Sequence, residues 1–231
     1  FKKNFIYYVF FRLIRKTLTS KIKIKIYNID IWASNKKNEM SHSLLRKCDF
    51  EDNQEIRLID KINKDYLIYL FDCGSNFGFY SLYVASKNKE NKVCSFEASP
   101  STFYEMKQNI ILNKYKTIEA KNLAVSNVDG EMLNLFESEK DWESSISHSN
   151  FKNKSKIEVN SVTLDNFSKN KDLNKYSIII KLDVEGHEMQ VIDGSLSLIK
   201  KHSPIIILEF SKFIRNKKRY DYAYLKNILT K

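Results

Sequence analysis

Residues 70–81, LFDCGSNFGFYS, decide the fold of this 231-residue chain. An apolar run ends at Asp72, Gly74 and Gly78 follow it, and an amphipathic pattern begins near Phe79. Because glycine has no Cβ, it adopts conformations that bend the chain sharply and let a ligand approach bare backbone. The chain contains only five glycines, so two of them in one turn indicate a strand, a tight ligand-binding loop and a helix.

The spacing of the aspartate and the glycines in this loop indicates which class of nucleotide ligand the loop would bind. It reads D-x-G-x-x-x-G, which differs from the G-x-G-x-x-G loop that binds the pyrophosphate of dinucleotides. Glu97 ends the next predicted strand, in CSFEASP, and an acid there is placed to accept hydrogen bonds from both hydroxyls of a ribose. The pattern indicates an adenosine-type ligand without a pyrophosphate. S-adenosylmethionine fits, because its cationic sulfonium and amino groups favour carboxylates such as Asp72.

Strand and helix patterns alternate along the chain on both sides of this loop. Buried-strand patterns cover residues 66–73, 92–97, 117–124, 176–183 and 204–210. Helical patterns cover residues 79–86, 101–113 and 187–200. This alternation predicts an α/β fold in which helices cover both faces of a mostly parallel sheet. We expect this main domain to span residues 65–231.

Residues 1–64 are predicted to form an N-terminal helix and strand extension packed on the main domain. Residues 5–11, FIYYVFF, are apolar, but basic residues end the run far short of the ~20 residues that span a bilayer. We expect a packed helix there, with a peripheral contact on an anionic membrane surface as the alternative. Residues 21–32, KIKIKIYNIDIW, alternate with period two and predict a half-buried strand, and residues 54–62 predict a helix.

An inserted β-hairpin is predicted at about residues 131–162, because both EMLNLF (131–136) and IEVNSV (157–162) alternate. The polar loop between them, residues 137–155, is longer than loops without a function usually are. It is therefore a candidate lid or substrate-binding segment. The polar and aromatic residues of interest in this loop are Trp142, Glu143, Ser144, Ser145 and His148.

Charge and cysteine content narrow the class of protein. Basic residues outnumber acidic ones by 39 to 28, which by itself suggests nucleic acid or an anionic surface as a partner. Most of the basic residues are lysines spread along the chain, so we interpret the charge as a solvated surface and do not expect nucleic acid. Cys48, Cys73 and Cys94 form no metal-type pair. Cys73 and Cys94 are expected to be buried in strands of a protein that lies in a reducing compartment. This favours a cytoplasmic location, and a peripheral contact at the inner face of the membrane is the alternative.

A second informative segment, residues 178–194 with IIIKLDVEGHEMQVIDG, follows the hairpin. An apolar strand brings Asp183 to the carboxyl edge of the sheet, and Glu185, His187 and Glu188 lie at the start of a helix. Acids are favoured in a first helical turn, so a helix cap is the alternative role for Glu188. Asp183, Glu185 and His187 are the candidate catalytic residues, and a carboxylate is the preferred base.

The run KLDVEGHEMQVIDG, with FDCGSNFGFYS, FEASPSTFYEMKQNI, NLAVSNVDGE and SVTLDNF upstream, resembles the FkbM family of S-adenosylmethionine-dependent methyltransferases. The similarity extends over roughly residues 70–210, and its most specific part is DVEGHE. It implies a class I methyltransferase fold, a Rossmann-like three-layer sandwich, and O-methylation of hydroxyls on sugars, glycolipids, polysaccharides or secondary metabolites. The family continues into a C-terminal antiparallel strand pair, which we expect to be replaced or missing in a chain that ends at Lys231.

The resemblance also implies a cofactor site built from the glycine loop and the neighbouring strand ends. The residues implied to bind S-adenosylmethionine are Asp72, Gly74, Ser75, Asn76, Gly78, Glu97, Ala98 and Ala124. Glu97 would hold the ribose and Ala124 would lie near the adenine, whereas Asp183 and Glu185 would lie at the reaction face. No metal site is predicted, because two acids and one histidine give no recognisable ligand spacing.

Two other functions compete with this interpretation. A nucleic acid methyltransferase is favoured by the net charge, but no Asn/Asp-Pro-Pro-Tyr/Phe motif for exocyclic amines follows Asp183. A non-catalytic fold that binds a nucleoside or a membrane is the second alternative. The intact motif residues argue against it, namely Asp72, Gly74, Gly78, Glu97 and Asp183. We therefore expect an enzyme that acts on a small-molecule or glycan acceptor.

Overall fold

The computed structural model describes residues 22–33, 54–137 and 155–208. The strands in these ranges are β1 Ile22–Ile26, β2 Ile29–Ala33, β3 Ile68–Cys73, β4 Lys92–Phe96, β5 Ile118–Lys121, β6 Ala124–Val125, β7 Met132–Glu137, β8 Ser155–Val162, β9 Ser177–Leu182 and β10 Ile205–Leu208. The helices are α1 Gln54–Asp65, α2 Phe79–Lys87, α3 Pro100–Asn113, α4 Leu164–Ser168, α5 Glu188–Asp193 and α6 Leu196–His202.

A five-stranded parallel sheet in the order β10-β9-β3-β4-β5 forms the centre of the described structure. Side chains alternate along a strand, so the odd-numbered residues of β3 pack with α4, α5 and α6. Its even-numbered apolar residues pack with α1, α2 and the β1–β2 hairpin. Apolar residues on both faces are what a buried parallel strand requires. The predicted three-layer α/β fold with a mostly parallel sheet is confirmed.

Helices α3 and α4 begin where the sequence supplies a local partner for their free N–H groups. Ser99 precedes α3 and its side chain accepts a hydrogen bond from the Thr102 N–H, with Pro100 as the first helical residue, as is common at helix starts. Thr163 caps α4 in the same way through the N–H of Asn166. Because α3 starts directly after β4, its N-terminus lies at the carboxyl edge of the sheet, where the candidate site residues lie.

The strand predicted at residues 21–32 needs a correction, because residues 22–33 form the antiparallel β1–β2 hairpin rather than one strand. Tyr27 and Asn28 have φ values of 48° and 64°, and positive φ at both central residues is typical of the type I′ turn of a two-residue hairpin. The apolar positions fall on even numbers up to Ile26 and on odd numbers from Ile29. That change of phase is the sequence signal for the turn.

The β1–β2 hairpin contacts α3 through two asparagine side chains. The Asn113 amide accepts a hydrogen bond from the Asp30 N–H at 2.9 Å and donates one to the Asp30 carbonyl at 2.6 Å. The Asn109 side chain accepts a bond from the Trp32 N–H at 2.8 Å. These bonds satisfy edge-strand backbone groups of β2. The domain boundary between residues 64 and 65 stays a prediction.

The strand predicted at residues 117–124 is two strands in different sheets, which corrects that prediction. β5 continues the parallel sheet, whereas β6 pairs with β8. Between them, the Asn122 amide donates to the carbonyl oxygens of Glu97 and Ala98, both at 2.8 Å. Asn122 therefore lies between the two strands, with its side chain hydrogen-bonded to the residues that follow β4. The chain passes from one sheet to the other at this point.

The helix predicted at residues 187–200 is likewise divided, into α5 and α6. The break lies at Gly194, where a Cβ would collide with the carbonyl oxygen of Ser126. The Gly194 carbonyl accepts a hydrogen bond from the Asp165 N–H at 3.0 Å, and the Asp165 carboxylate accepts bonds from the first N–H groups of α6. Contacts with distant residues therefore surround the end of α5 at Gly194, and the glycine is also a local signal for a helix end that the sequence interpretation did not use.

The inserted hairpin is confirmed as β7 and β8, which pair from Met132 with Asn160 to Glu137 with Ser155. With β6 they form a three-stranded sheet in the order β6-β8-β7. The predicted burial of Cys73 and Cys94 in strands is also confirmed.

Some predictions fall outside the described residues. They are the N-terminal helix within residues 1–21, Cys48, and the predictions for residues after 208, including the replacement or loss of the C-terminal strand pair. Residues 138–154 of the candidate lid predicted at residues 137–155, with Glu143 and His148, also lie outside the described ranges. Within the described ranges, every helix is too short or too polar to cross a lipid bilayer.

Candidate functional site

The glycine loop, residues 74–78, connects β3 to α2 and is attached to both neighbouring strands. The N–H groups of Gly74 and Ser75 both donate to the Phe96 carbonyl at the end of β4, at 3.0 and 2.9 Å. On the other side, the Asp183 N–H donates to the Cys73 carbonyl at 3.1 Å. The carboxyl ends of β3, β4 and β9 therefore meet in one place, which is where open α/β sheets bind ligands.

Gly74 and Gly78 have φ values of 78° and 89°, which favour glycine over other residues. A Cβ at Gly74 would collide with the Asp183 carbonyl oxygen, and one at Gly78 would press on the Met106 side chain of α3. The sequence indicated two reasons for these glycines, a sharp bend of the chain and the approach of a ligand. The positive φ values agree with the first reason, and neighbouring protein atoms add a third, because they leave little room for a Cβ. The contact of the two glycines with a cofactor stays a prediction.

Asp72 is buried at the end of β3 with one carboxylate oxygen unused. Oδ2 accepts a hydrogen bond from the Ser81 hydroxyl at 2.6 Å, and Oδ1 has no hydrogen-bond partner among the described residues. Burial raises the pKa of Asp72, and Lys181 and Ser81 oppose that rise. Because buried polar atoms are almost always hydrogen-bonded, the unused oxygen indicates a donor or a positive charge that a ligand would bring.

Glu97 accepts two backbone hydrogen bonds that shape the loop. Its Oε2 accepts from the Asn76 N–H at 2.8 Å and its Oε1 accepts from the Ser99 N–H at 3.0 Å. Burial raises the pKa of Glu97 to about 7, although these two N–H groups lower it. Each carboxylate oxygen has a second lone pair, so a further donor can still bind.

Asn76 itself adopts a left-handed conformation, with φ of 52°, which asparagine tolerates better than most residues. Its side-chain Oδ1 is buried and has no hydrogen-bond partner in the part of the chain that the structure covers. The glycine loop and the strand before it therefore present two unsatisfied acceptor oxygens, on Asp72 and Asn76.

The other predicted cofactor residues have mainly packing roles in the structure. The Ser75 hydroxyl donates to the carbonyls of Asp72 and Phe96, at 2.8 and 3.0 Å. Ala124 is buried in a small apolar cluster with Leu135 and Val159 of the inserted hairpin, and Ala98 packs against that cluster. These alanines place the hairpin beside the end of β4, and their contact with an adenine stays a prediction.

The three predicted catalytic residues lie in different environments. Asp183 follows β9 and is partly exposed, and its Oδ2 accepts a hydrogen bond from Lys181 Nζ at 3.0 Å. Glu185 is exposed and has a left-handed φ of 49°. His187 is buried, with Nε2 at 2.9 Å from the Ser126 hydroxyl. The two acids are therefore accessible to solvent to different degrees, whereas the imidazole joins the start of α5 to the residue after β6.

Glu188 holds the turn that carries these residues. Its Oε1 accepts a hydrogen bond from the Gly186 N–H at 2.9 Å, and its Oε2 is buried without a hydrogen-bond partner among the described residues. Burial raises its pKa, and the backbone N–H groups of the turn lower it. The alternative predicted for Glu188, a role at the start of the helix, agrees with this contact.

The sequence interpretation missed Lys181, Ser81 and Ser95. Lys181 is 7% exposed, and the sequence interpretation treated it as part of an apolar strand. A single charged residue within the apolar run IIIKL is itself a signal for a functional residue. The Ser81 hydroxyl, besides its bond to Asp72, lies 2.6 Å from the Ser95 hydroxyl. Serines within strands and helices carry no comparable signal, because their positions across the sheet depend on the register.

Comparisons with known proteins agree with the resemblance. The family model described as "Methyltransferase FkbM domain" matches residues 72–231. A curated protein, "Methyltransferase 1" of Beauveria bassiana, is 23% identical over 143 residues, which cover 54% of this chain and 57% of that protein. The chain thus spans little more than half the length of that relative.

Two solved structures are also similar. The structure of an Agrobacterium tumefaciens SAM-dependent methyltransferase has a TM-score of 0.47 and 10% identity, with 92% of this chain and 58% of that chain covered. The structure of P. horikoshii TYW2 in complex with MeSAdo has a TM-score of 0.34 and 18% identity, with 48% of this chain and 40% of that chain covered.

Proposed function

The chain belongs to the FkbM methyltransferase family, and we propose that it binds S-adenosylmethionine and transfers the methyl group to a hydroxyl of a small-molecule or glycan acceptor. The observation that carries this proposal is the pair of buried oxygens on Asp72 and Asn76 that lack a partner within the described part of the chain. Acceptors without donors favour a ligand that brings N–H groups or positive charge. S-adenosylmethionine has both, in its ammonium and its sulfonium.

The charges of the site agree with a cationic ligand. Asp72, Glu97 and Asp183 surround the glycine loop, and each of the other two carboxylates raises the pKa of Glu97 by its negative charge. Lys181 supplies positive charge close to Asp72 and Asp183. Three carboxylates against one ammonium leave the edge of the sheet negative when Glu97 is ionised, and such a site attracts a cation.

Each residue of the site has a separate role in this proposal. Asp72 and Asn76 accept hydrogen bonds from the methionine end, and the free lone pairs of Glu97 accept them from the ribose hydroxyls. When bound, S-adenosylmethionine supplies an electrophilic methyl group on its sulfonium. The protein then holds the acceptor hydroxyl in line with that methyl group, which lowers the entropic part of the barrier.

The acceptor hydroxyl is weakly acidic, so a base assists its reaction. Asp183 is the preferred base, because it is partly exposed at the edge where the three strands end. Glu185 is the second choice, since it is exposed on the next turn. His187 is less suited to this role, because its ring is buried against Ser126.

A methyl-transfer assay tests the proposal. The chain is incubated with S-adenosylmethionine carrying an isotopically labelled methyl group and, separately, with glycan, lipid, small-metabolite and RNA fractions. We expect label in a glycan, lipid or small-metabolite hydroxyl, and loss of that label with Asp183→Asn. Label found only in RNA, or at nitrogen, would contradict the proposal.

A further inference from the structure

Lys181 lies beside Asp72 in the sheet, on the same face. The strand register pairs Lys181 of β9 with Asp72 of β3, and Asp72 with Ser95 of β4. Ile179, two residues before Lys181, belongs to the core that α2 covers, and side chains two residues apart share a face. Lys181, Asp72 and Ser95 thus form a polar row under α2, at the carboxyl end of the sheet.

The ammonium of Lys181 is buried and paired. Lysine is almost never buried without a partner, and Lys181 is 7% exposed. Its Nζ lies 3.0 Å from Asp183 Oδ2 and 4.8 Å from the centroid of the Tyr80 ring. Burial disfavours the charged ammonium, but the carboxylates of Asp183 and Asp72 outweigh this effect and raise the pKa of Lys181. The group therefore stays positively charged.

The buried carboxylate of Asp72 needs such a cation beside it. Burial raises the pKa of Asp72 and the negative charge of Asp183 adds to that rise, whereas Lys181 and the Ser81 hydroxyl oppose it. A buried carboxylate without a counter-ion binds a proton more readily, because burial disfavours its charged form. A neutral Asp72 would attract a cationic ligand less strongly than a carboxylate does.

We propose that Lys181 is a positioning residue, whose ammonium orients the Asp183 carboxylate and supplies a positive charge beside the buried Asp72 carboxylate at the ligand site. The proposal rests on the proposed function only for the identity of the cationic ligand. In the described ranges, the titratable groups that interact with Lys181 include Asp72 and Cys73 of β3, Tyr80 of α2 and Asp183. The strand on the other side of β9, β10, contributes only Ile and Leu side chains.

The test compares Lys181→Met, Lys181→Arg and wild type by infrared spectroscopy of the ligand-free protein. The measurement is made at about pH 8, roughly one unit above the pKa of Glu97, so that Glu97 is mostly ionised in every sample. We expect the protonated-carboxyl band to be stronger in Lys181→Met than in wild type and in Lys181→Arg. Adding Asp72→Asn to Lys181→Met should remove the added intensity, because the buried carboxyl group is then absent.

The second readout is the affinity for S-adenosylmethionine, measured by calorimetry at the same pH. Lys181→Met should lower the affinity about tenfold or more, a free-energy change of about 1.4 kcal/mol, and Lys181→Arg should restore most of that loss. Lys171→Met is the matched control, because Lys171 pairs with Glu119 on another part of the sheet. We expect it to bind as wild type does.

Stability is checked first by thermal unfolding, since a buried carboxylate without its counter-ion can destabilise a fold. If Lys181→Met is unfolded, the double variant with Asp72→Asn should fold, because it removes the buried carboxylate together with its counter-ion. A folded Lys181→Met protein whose band is no stronger than that of wild type, or a double variant as unstable as the single one, would overturn the proposal.

The two readouts separate this inference from the proposed function. The infrared result requires no cofactor, so a wild-type protein that fails to bind S-adenosylmethionine would contradict the proposed function alone. Unchanged affinity in Lys181→Met, beside normal binding by wild type, would contradict the role of Lys181 alone.

Discussion

The backbone N–H of Asn76 donates a hydrogen bond of 2.8 Å to the Glu97 carboxylate. The acid that ends β4 therefore holds the loop that follows β3, in addition to its proposed contact with a ribose. Its other oxygen binds the Ser99 N–H at the start of α3. Glu97 thus joins the glycine loop to a helix N-terminus, so its replacement should affect both the shape of the site and ligand binding.

Replacing Glu97 by alanine should weaken S-adenosylmethionine binding by ~1–3 kcal/mol, because charged hydrogen bonds are lost and two backbone N–H groups are left without their acceptor. Calorimetry measures the affinity, and circular dichroism measures the accompanying loss of stability. Glu90→Ala is the matched control, since Glu90 is exposed in the turn before β4. Equal affinity in Glu97→Ala and wild type would refute the ribose assignment.

The stability of the protein should depend on pH through Glu97. Burial raises its pKa to about 7 from an ordinary value of 4.5, so between those values the folded protein holds a proton that the unfolded chain has released. The free energy of unfolding should therefore fall as the pH rises from about 4.5 to about 7, by an amount on the order of 3 kcal/mol. Above that range, this contribution should stay constant.

Urea unfolding of wild type and Glu97→Gln across this pH range checks the sign and the size of the effect. Glutamine is neutral at every pH, so the variant should lack this part of the slope. Identical slopes in the two proteins would show that Glu97 does not titrate in this range.

Comparing Gly74→Ala with Gly130→Ala distinguishes two reasons for a glycine, a lack of space for a Cβ and a positive φ. Both glycines have positive φ, 78° and 72°. A Cβ at Gly74 meets the Asp183 carbonyl, whereas one at Gly130 meets no atom within 4 Å. Gly130→Ala should cost about 1–2 kcal/mol of stability, the usual cost of a left-handed conformation, and Gly74→Ala should cost several kcal/mol more or prevent folding. Equal losses in thermal unfolding would mean that the loop moves away from Asp183.

Replacing Glu188 by alanine should destabilise the turn after β9 by ~1–3 kcal/mol, because it leaves the Gly186 N–H without its acceptor. Glu188→Gln keeps an acceptor oxygen and should retain most of the stability. Chemical unfolding of the two variants gives the comparison. If the alanine variant is as stable as the glutamine variant, the bond from Gly186 does not hold the turn.

The sequence predicted the elements whose signals are local. The apolar run before Asp72, the two glycines and the amphipathic stretch after them were sufficient for β3, the glycine loop and α2. The strand ends at Glu97 and Asp183 followed from the same reasoning, because parallel strands bring their carboxyl ends to one edge of the sheet.

Contacts between distant residues account for what the sequence could not predict. The break between α5 and α6 depends on the approach of Ser126 to Gly194, and these two residues are far apart in the sequence. The role of Lys181 depends on the register of β9 with β3, which hydrophobic patterns do not specify for a strand buried on both faces. By contrast, the phase change at Asn28 was a local signal for the β1–β2 turn that the sequence interpretation did not use.

Calorimetric titration of wild type and Asp72→Asn with S-adenosylmethionine tests the central claim most directly. The asparagine substitution would keep the size of the side chain but remove the charge that faces the ligand, so we expect wild type to bind and the variant to bind about tenfold or more weakly. Binding of NAD in place of S-adenosylmethionine, no binding by a folded wild-type protein, or equal binding by both proteins would contradict the account.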